Sequence, residues 1–460
     1  MENAVKRDKI ELFEKMPVSK AVSRLVVPTI ISQLISMIYN LADTYFVGQT
    51  GDYNQVAAIT LVFPAYMTLG AIANLLGIGG GSLVSRSLGK KDYTKARQAA
   101  CFSFYAAIAV TFVYSLFSLI FPNVFLKLLG ATEATYGFTY DYLFWVLTIG
   151  GVPTVLSMVL GHLVRAEGAS RQASIGMTLG GVLNIILDPV FILPWGLNMM
   201  IKGAAIATLI SNGVSVIYFL VYLIIVRKKT VISLNVKHLK IKKEIVAPVL
   251  TVGFPAFLQT SLAMVSNTFL NNLTAKFGET AIAAGGIVKK IDMLPMNVTM
   301  GFSQGVLPFI AYNYASENFE RMKKGARFTR VIAMSFSILC VIIFEIFANR
   351  LVGLFIKDEQ TIYYGARFLR IICIAMPIMA IDFLITTMFQ ATGHGAKALT
   401  LSLLRKGPVD VPLMFLMNFL IPLYGLYAVQ PIVDTIALIV AIVLYVRFFK
   451  SLKARIKETG

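Results

Sequence analysis

Residues 25–48 read LVVPTIISQLISMIYNLADTYFVG, and Asp43 is the one charged side chain in that run. At the α-helical rise the run reaches about 36 Å, enough to cross a bilayer's hydrocarbon core. It therefore reads as a membrane-spanning helix with a carboxylate about a turn from its far end. A charge there costs about 2.5–3.5 kcal/mol even on the gentlest insertion scales, so an acid in that place is a functional candidate by default. A second acid, Asp188 in Asn184-Ile185-Ile186-Leu187-Asp188-Pro189, stands in the same kind of apolar setting.

The rest of the chain has the same character. Of its 460 residues 57% are hydrophobic and 14% are charged, with a mean hydropathy of +0.74. Soluble domains are nearer 25% charged, so lipid is the solvent this composition expects. A net charge of +19 would suit nucleic acid, but the basic residues fall between apolar segments, so no nucleic-acid partner is expected. The first twenty residues carry Glu2, Lys6, Arg7, Asp8 and Lys9 and have no apolar core of a cleavable signal. Cys101, Cys340 and Cys373 lie inside apolar runs without CxxC spacing and read as small buried residues.

Twelve spans are expected, at about 22–46, 55–84, 98–121, 138–162, 172–193, 203–226, 247–273, 280–312, 328–349, 365–391, 396–420 and 425–446. Pro28, Pro64, Pro153, Pro255, Pro295 and Pro377 fall within spans, where each removes a hydrogen bond and permits a bend. The two tails and the even-numbered loops hold 33 of the 42 Lys and Arg residues, counting Lys397, Arg405 and Lys406 to the loop after span 10. The positive-inside rule puts that side, with both termini, in the cytoplasm of a cell-membrane protein.

The chain also repeats at an offset near 225 residues. Pro28 matches Pro255, Gly81 matches Gly305, Asp92 matches Asn318, Pro153 matches Pro377, and Gly168 matches Gly393. An even number of spans separates the partners, so the two halves share one orientation. The expectation is an all-α polytopic fold of two six-helix lobes, related by a pseudo-two-fold axis along the membrane normal. The lobes are residues 1–226 and 247–446, with a basic linker at 227–246 and a tail at 447–460.

In these motifs the chain resembles a multidrug and toxic compound extrusion (MATE) transporter over essentially its whole length. The matching stretches are Asn40-Leu41-Ala42-Asp43, Leu76-Gly77-Ile78-Gly79-Gly80-Gly81-Ser82 with Arg86-Ser87-Leu88-Gly89, Arg165-Ala166-Glu167-Gly168, and Leu183-Asn184-Ile185-Ile186-Leu187-Asp188-Pro189. Its pair of first-half acids resembles the branch named for DNA-damage-inducible protein F and the bacterial exporters near it. The resemblance implies a cation site at Asp43, Asn184, Asp188 and Thr208, with Tyr39 and Asn40 beside it. It also implies that uptake of Na⁺ or H⁺ there bends span 1 near Pro28 and displaces a bound drug.

The residues themselves agree with such a site. Asn184 and Asp188 share a helical face, as do Tyr39, Asn40 and Asp43, so several oxygens can converge. Carboxylates, an amide oxygen and a hydroxyl are hard donors suited to Na⁺, and a buried acid equally suits a proton. The plainer alternative is that each acid caps a helix end, Asp188 in particular because Pro189 follows it. In the second half, Lys289, Lys290 and Asp292 lie inside span 8, either lining a cavity or pairing internally; Asp382 in span 10 is a further acid. Met264, Met293, Met296 and Met300 offer a polarisable wall for drugs or, equally, ordinary packing. The glycine run 77–81 has no Lys-Ser or Lys-Thr after it and reads as close helix packing. His162, His238 and His394 show no metal spacing.

The expected function is secondary multidrug efflux: organic cations or amphipathic drugs leave in exchange for Na⁺ or H⁺, through a monomer with no cofactor and no enzymatic activity. The alternative within transport is a flippase for lipid-linked oligosaccharides. A membrane-embedded enzyme lacks its Asp-rich or His-Asp constellation, and an ATP-driven pump lacks its nucleotide motif.

Overall fold

In hydrocarbon a backbone can satisfy its polar groups only within itself, so each apolar run becomes a helix. The computed structural model describes residues 11–459. Twelve helical segments follow in chain order: α1 (Val18–Gly48), α2 (Tyr53–Gly89), α3 (Tyr93–Ile120), α4 (Tyr136–Ile149 bent into Gly151–Ala166), α5 (Ser170–Ile192) and α6 (Met200–Ile225). The second half supplies α7 (Lys243–Ala275), α8 (Glu279–Ala315), α9 (Phe319–Gly353), α10 (Glu359–Cys373 bent into Ala375–Ala391), α11 (Gly395–Arg405 and Asp410–Leu420) and α12 (Tyr424–Thr459). They form the expected two lobes, and helices run past their expected ends, α9 by nine residues at its start. Lys6, Arg7 and Lys9 of the expected basic tail lie outside the described residues.

The repeat is visible in backbone detail. Lys91 and Glu317 both take a left-handed φ of 60°, and Gly168 and Gly393 take 94° and 81°. Asp92 caps α3 by accepting from Lys95 N, as Asn318 caps α9 by accepting from Arg321 N. α4 and α10 break at matching points, by 48° and 41°.

The capping alternative for Asp188 is set aside. α5 does not end at Asp188 but continues through Pro189 to Ile192, so Asp188 is no cap. α1 likewise runs unbroken through Pro28 and past Asp43. Pro28 donates no hydrogen bond, which leaves a weak point in a helix that otherwise continues. Three residues earlier Leu25 offers its carbonyl to the Thr29 hydroxyl at 2.8 Å.

One expectation is corrected. Arg405 and Lys406, counted to the loop after span 10, stand at the break within α11, where Arg405 is buried. Sequence gives no depth, and a charged pair inside a span looks the same as a short loop.

The lobes meet through the halves of their helices nearest the termini. A Cβ placed on Gly253 of α7 would lie 1.7 Å from the Leu75 carbonyl oxygen of α2, so only glycine permits this approach. Gly301 and Gly305 of α8 press on Ile30 and Val26 of α1, where an added Cβ would lie 2.7 Å from the nearest atom. Toward the far ends, the same face of α8 opens: Gly305 and Gly301 are buried, Asn297 is half-buried, and Leu294 and Lys290 are exposed. The molecule is thus closed on the face bearing the termini and splayed into a cleft on the other.

Two short segments secure the closed face. A one-turn helix, Glu11–Lys15, places Phe13 fully buried against Tyr312 with rings stacked at 4.6 Å. The Tyr312 hydroxyl donates to Glu14 at 2.7 Å, and Arg321 Nε donates to the Phe13 carbonyl at 2.6 Å. Phe13 and Leu12 also lie against Gly168, so this strap touches both lobes. The linker between α6 and α7 is tied to the first lobe: Glu167 accepts from the Thr230 hydroxyl at 2.9 and 2.8 Å and from Val231 N at 3.2 Å.

Candidate ion and drug site

α5 carries Asn184 and Asp188 one turn apart, facing α1 and α6 because this face of the helix is rich in small residues. A Cβ on Gly181 would sit 2.9 Å from Ile35 of α1, so the two helices pack closely there. Asn184 is 2% exposed and Asp188 is fully buried. The Asn184 amide donates to Asp188 Oδ1 at 3.2 Å and approaches Thr208 Oγ1 of α6 at 3.4 Å. From α1, Asp43 accepts from the Tyr142 hydroxyl of α4 at 3.4 Å and lies within electrostatic reach of Asp188. Neither acid pairs with an arginine or lysine among the described residues.

The charge is therefore poorly answered by the protein itself. Asp43 Oδ1, Asn184 Oδ1 and Asp188 Oδ2 are buried with no hydrogen-bond partner among the described residues. Polar groups are rarely left so, because an unmade bond in a dry setting costs about 1–3 kcal/mol. The donor set of two carboxylates, an amide oxygen and a hydroxyl fits a small hard cation or a proton. No cluster of three His, Cys, Asp or Glu side chains suited to a metal ion occurs among the described residues.

Beside the acids lies a cavity of about 190 Å³ whose walls include Tyr39, Asn40, Asn184 and Thr208. Tyr39 and Tyr66 meet hydroxyl to hydroxyl at 3.1 Å across it, and Asn40 donates to the Ser36 carbonyl at 2.6 Å. Four of the six first-half residues expected at the site thus line this cavity, with Asp188 bonded to Asn184 and Asp43 within electrostatic reach of Asp188. Tyr142 and Tyr66 were not anticipated, since single tyrosines in a span carry no motif. The cavity's methionines are Met67, Met158 and Met177. Met264, Met293, Met296 and Met300 sit half-buried in α7 and α8.

The second-lobe residues divide. Asp382 is 1% exposed with both oxygens unpartnered among the described residues, near the buried Arg405. Arg405 Nε donates to Asp434 of α12 at 3.0 Å and its guanidinium lies 4.4 Å over the Phe383 ring. Gln430 joins Asp434 to Lys406 through bonds of 2.8 and 2.6 Å, and Ser266 donates to Asp410, which lies 3.5 Å from Lys406. Asp434, Gln430 and Asp410 were missed, although an acid within an apolar span was the signal to follow. Lys289 donates to Asn271 of α7 at 2.6 Å, Lys290 is exposed, and Asp292 is half-buried without a lysine partner among the described residues.

Two like six-helix lobes around a cleft, with buried acids beside a cavity in one of them, define a two-lobed helical membrane transporter. The chain belongs to the MatE family, whose model matches residues 28–190 and 253–416, one block in each lobe. It is 34% identical to the multidrug export protein MepA of Staphylococcus saprophyticus over 440 residues, 96% of each chain. To MepA of Staphylococcus aureus it is 35% identical over 424 residues, 92% of each. Among solved structures, the outward-facing conformation of a multidrug resistance MATE family transporter of the MOP superfamily superposes with a TM-score of 0.89. That match has 25% sequence identity and covers 97% of this chain and 98% of the other.

Proposed function

We propose that this transporter exports organic cations and other amphipathic drugs across the cell membrane by antiport against Na⁺ or H⁺. The observation that carries the reading is the gathering of Asp43, Asn184, Asp188 and Thr208, with three orphaned oxygens, beside a cavity in one lobe. The relatives named as multidrug export proteins support it.

The cycle follows from where the charges lie. With the termini in the cytoplasm, as the excess of basic residues on that face supports, the closed seam faces inward and the cleft outward. A cation or proton entering from outside binds between Asp43 and Asp188 and offsets one of their two negative charges. With their mutual repulsion relieved, α1 repacks against α5 and bends at Pro28, where one backbone bond is already missing. The cavity shrinks and the drug leaves. The membrane potential adds about 2.3 kcal/mol per charge per 100 mV in the direction of ion entry. The protein acts as a monomer and needs no cofactor. Ethidium efflux from vesicles given Na⁺ and pH gradients separately tests this: one gradient drives export, and export that ignores both refutes the reading.

A further inference from the structure

Lys289, Lys290 and Asp292 stand within the apolar part of α8, and the transport cycle above uses none of them. Lys289 is turned into its lobe by the bond to Asn271, and Asp292 is half-buried. Lys290 is exposed, and no carboxylate pairs with it among the described residues. A free ammonium in a membrane helix is costly, so its surroundings need an account.

The helical register supplies one. Lys290, Leu294, Asn297, Gly301 and Gly305 follow one another at spacings of four, three, four and four, which keeps them on one face of α8. At Gly305 and Gly301 that face rests on Val26 and Ile30 of α1. The two helices run in opposite directions, so each step back along α8 is a step forward along α1. Carried eleven residues further from Ile30 and Gly301, the register brings Lys290 level with Leu41, between Asn40 and Asp43 in sequence. Leu294 and Lys290 are exposed on this continuation of the seam face, and the register points Lys290 toward the lobe that holds the two acids.

Resting on the antiport reading above, we propose that Lys290 is a specificity-determining residue that receives the anionic group of the drug. The acid-bearing lobe takes a cationic group and the facing wall takes an anionic one. The favoured substrates are therefore amphipaths that carry both charges, and singly cationic dyes bind against a repulsion.

The test compares norfloxacin, a zwitterion, with ethidium, a monocation, in ion-driven efflux from vesicles. Lys290→Gln lowers kcat/KM for norfloxacin about tenfold, the loss of one charge-assisted contact, and raises it for ethidium a few-fold. Lys290→Arg keeps the wild-type order of the two drugs. Equilibrium binding of norfloxacin to purified protein, with no gradient, weakens by the same factor in Lys290→Gln, so the inference is judged even if antiport itself fails. Equal losses for both drugs, no change for either, or no norfloxacin binding by the wild-type protein overturns it.

Discussion

Asn184 and Asp188 stand one turn apart on α5, and the amide of the first donates to the carboxylate of the second at 3.2 Å. The same amide nitrogen lies 3.4 Å from Thr208 Oγ1, so one side chain holds both the Asp188 carboxylate and the Thr208 hydroxyl beside the cavity. The arrangement separates the work of holding the acid from that of binding a cation, because Asp188 Oδ2 and Asn184 Oδ1 remain without partners.

Removing the organiser tests that division. Asn184→Ala leaves both acids in place but deletes one oxygen and one donor, so the ion concentration for half-maximal efflux rises about tenfold, the equivalent of one charge-assisted contact. The concentration dependence of ethidium efflux measures it. An unchanged value means that Asn184 does not touch the ion.

The lobe seam should be intolerant of bulk. Gly253→Val drives its side chain into the Leu75 carbonyl, already 1.7 Å from a bare Cβ, so the closed face cannot form as it stands. Spin labels placed on the two lobes at that face read longer distances in the variant than in the wild-type protein. Identical distance distributions contradict the packing argument.

The strap should hold the same face from outside the bilayer. Phe13→Ala empties a fully buried site against Tyr312, and such truncations cost about 3–5 kcal/mol in close-packed interiors. Protease cleavage near residue 17 becomes faster at every protease concentration. Unchanged rates show that the segment contributes nothing to closure.

Buried ion pairs penalise single substitutions more than double ones. Asp434→Asn strands Arg405, 4% exposed, and destabilises the second lobe by about 3–5 kcal/mol. Arg405→Met together with Asp434→Leu recovers most of that loss. Thermal unfolding in detergent distinguishes the two, and a double variant as unstable as the single one contradicts the account.

Much of this molecule is readable from its residues because lipid leaves few choices. All twelve spans correspond to helical segments, and the repeat of Asp92 with Asn318 appears in the structure as the same cap on two helices. Composition alone is a blunter guide. Among the described residues, eight helices are long and apolar enough to cross a membrane, and two bent pairs bring the number to ten. α8, diluted by Lys289, Lys290 and Asp292, and α11, split beside Arg405 and Lys406, are absent from that set. Asp43, Asn184 and Asp188 stood out because a carboxylate in an apolar run is expensive. Tyr142 and Tyr66 did not, because a tyrosine is ordinary in a span and only the fold brings it to an acid. The second-lobe network was obscured for another reason: Arg405 and Lys406 resemble loop residues until α11 is seen to break within the lobe.

The central claim is that ion exchange at the first-lobe acids drives export, and Asp43→Asn addresses it most directly. In vesicles with an imposed Na⁺ or H⁺ gradient, the variant binds ethidium but loses gradient-driven efflux by at least about tenfold, a barrier change of roughly 1.4 kcal/mol or more. Gradient-driven efflux at the wild-type rate in Asp43→Asn contradicts the account.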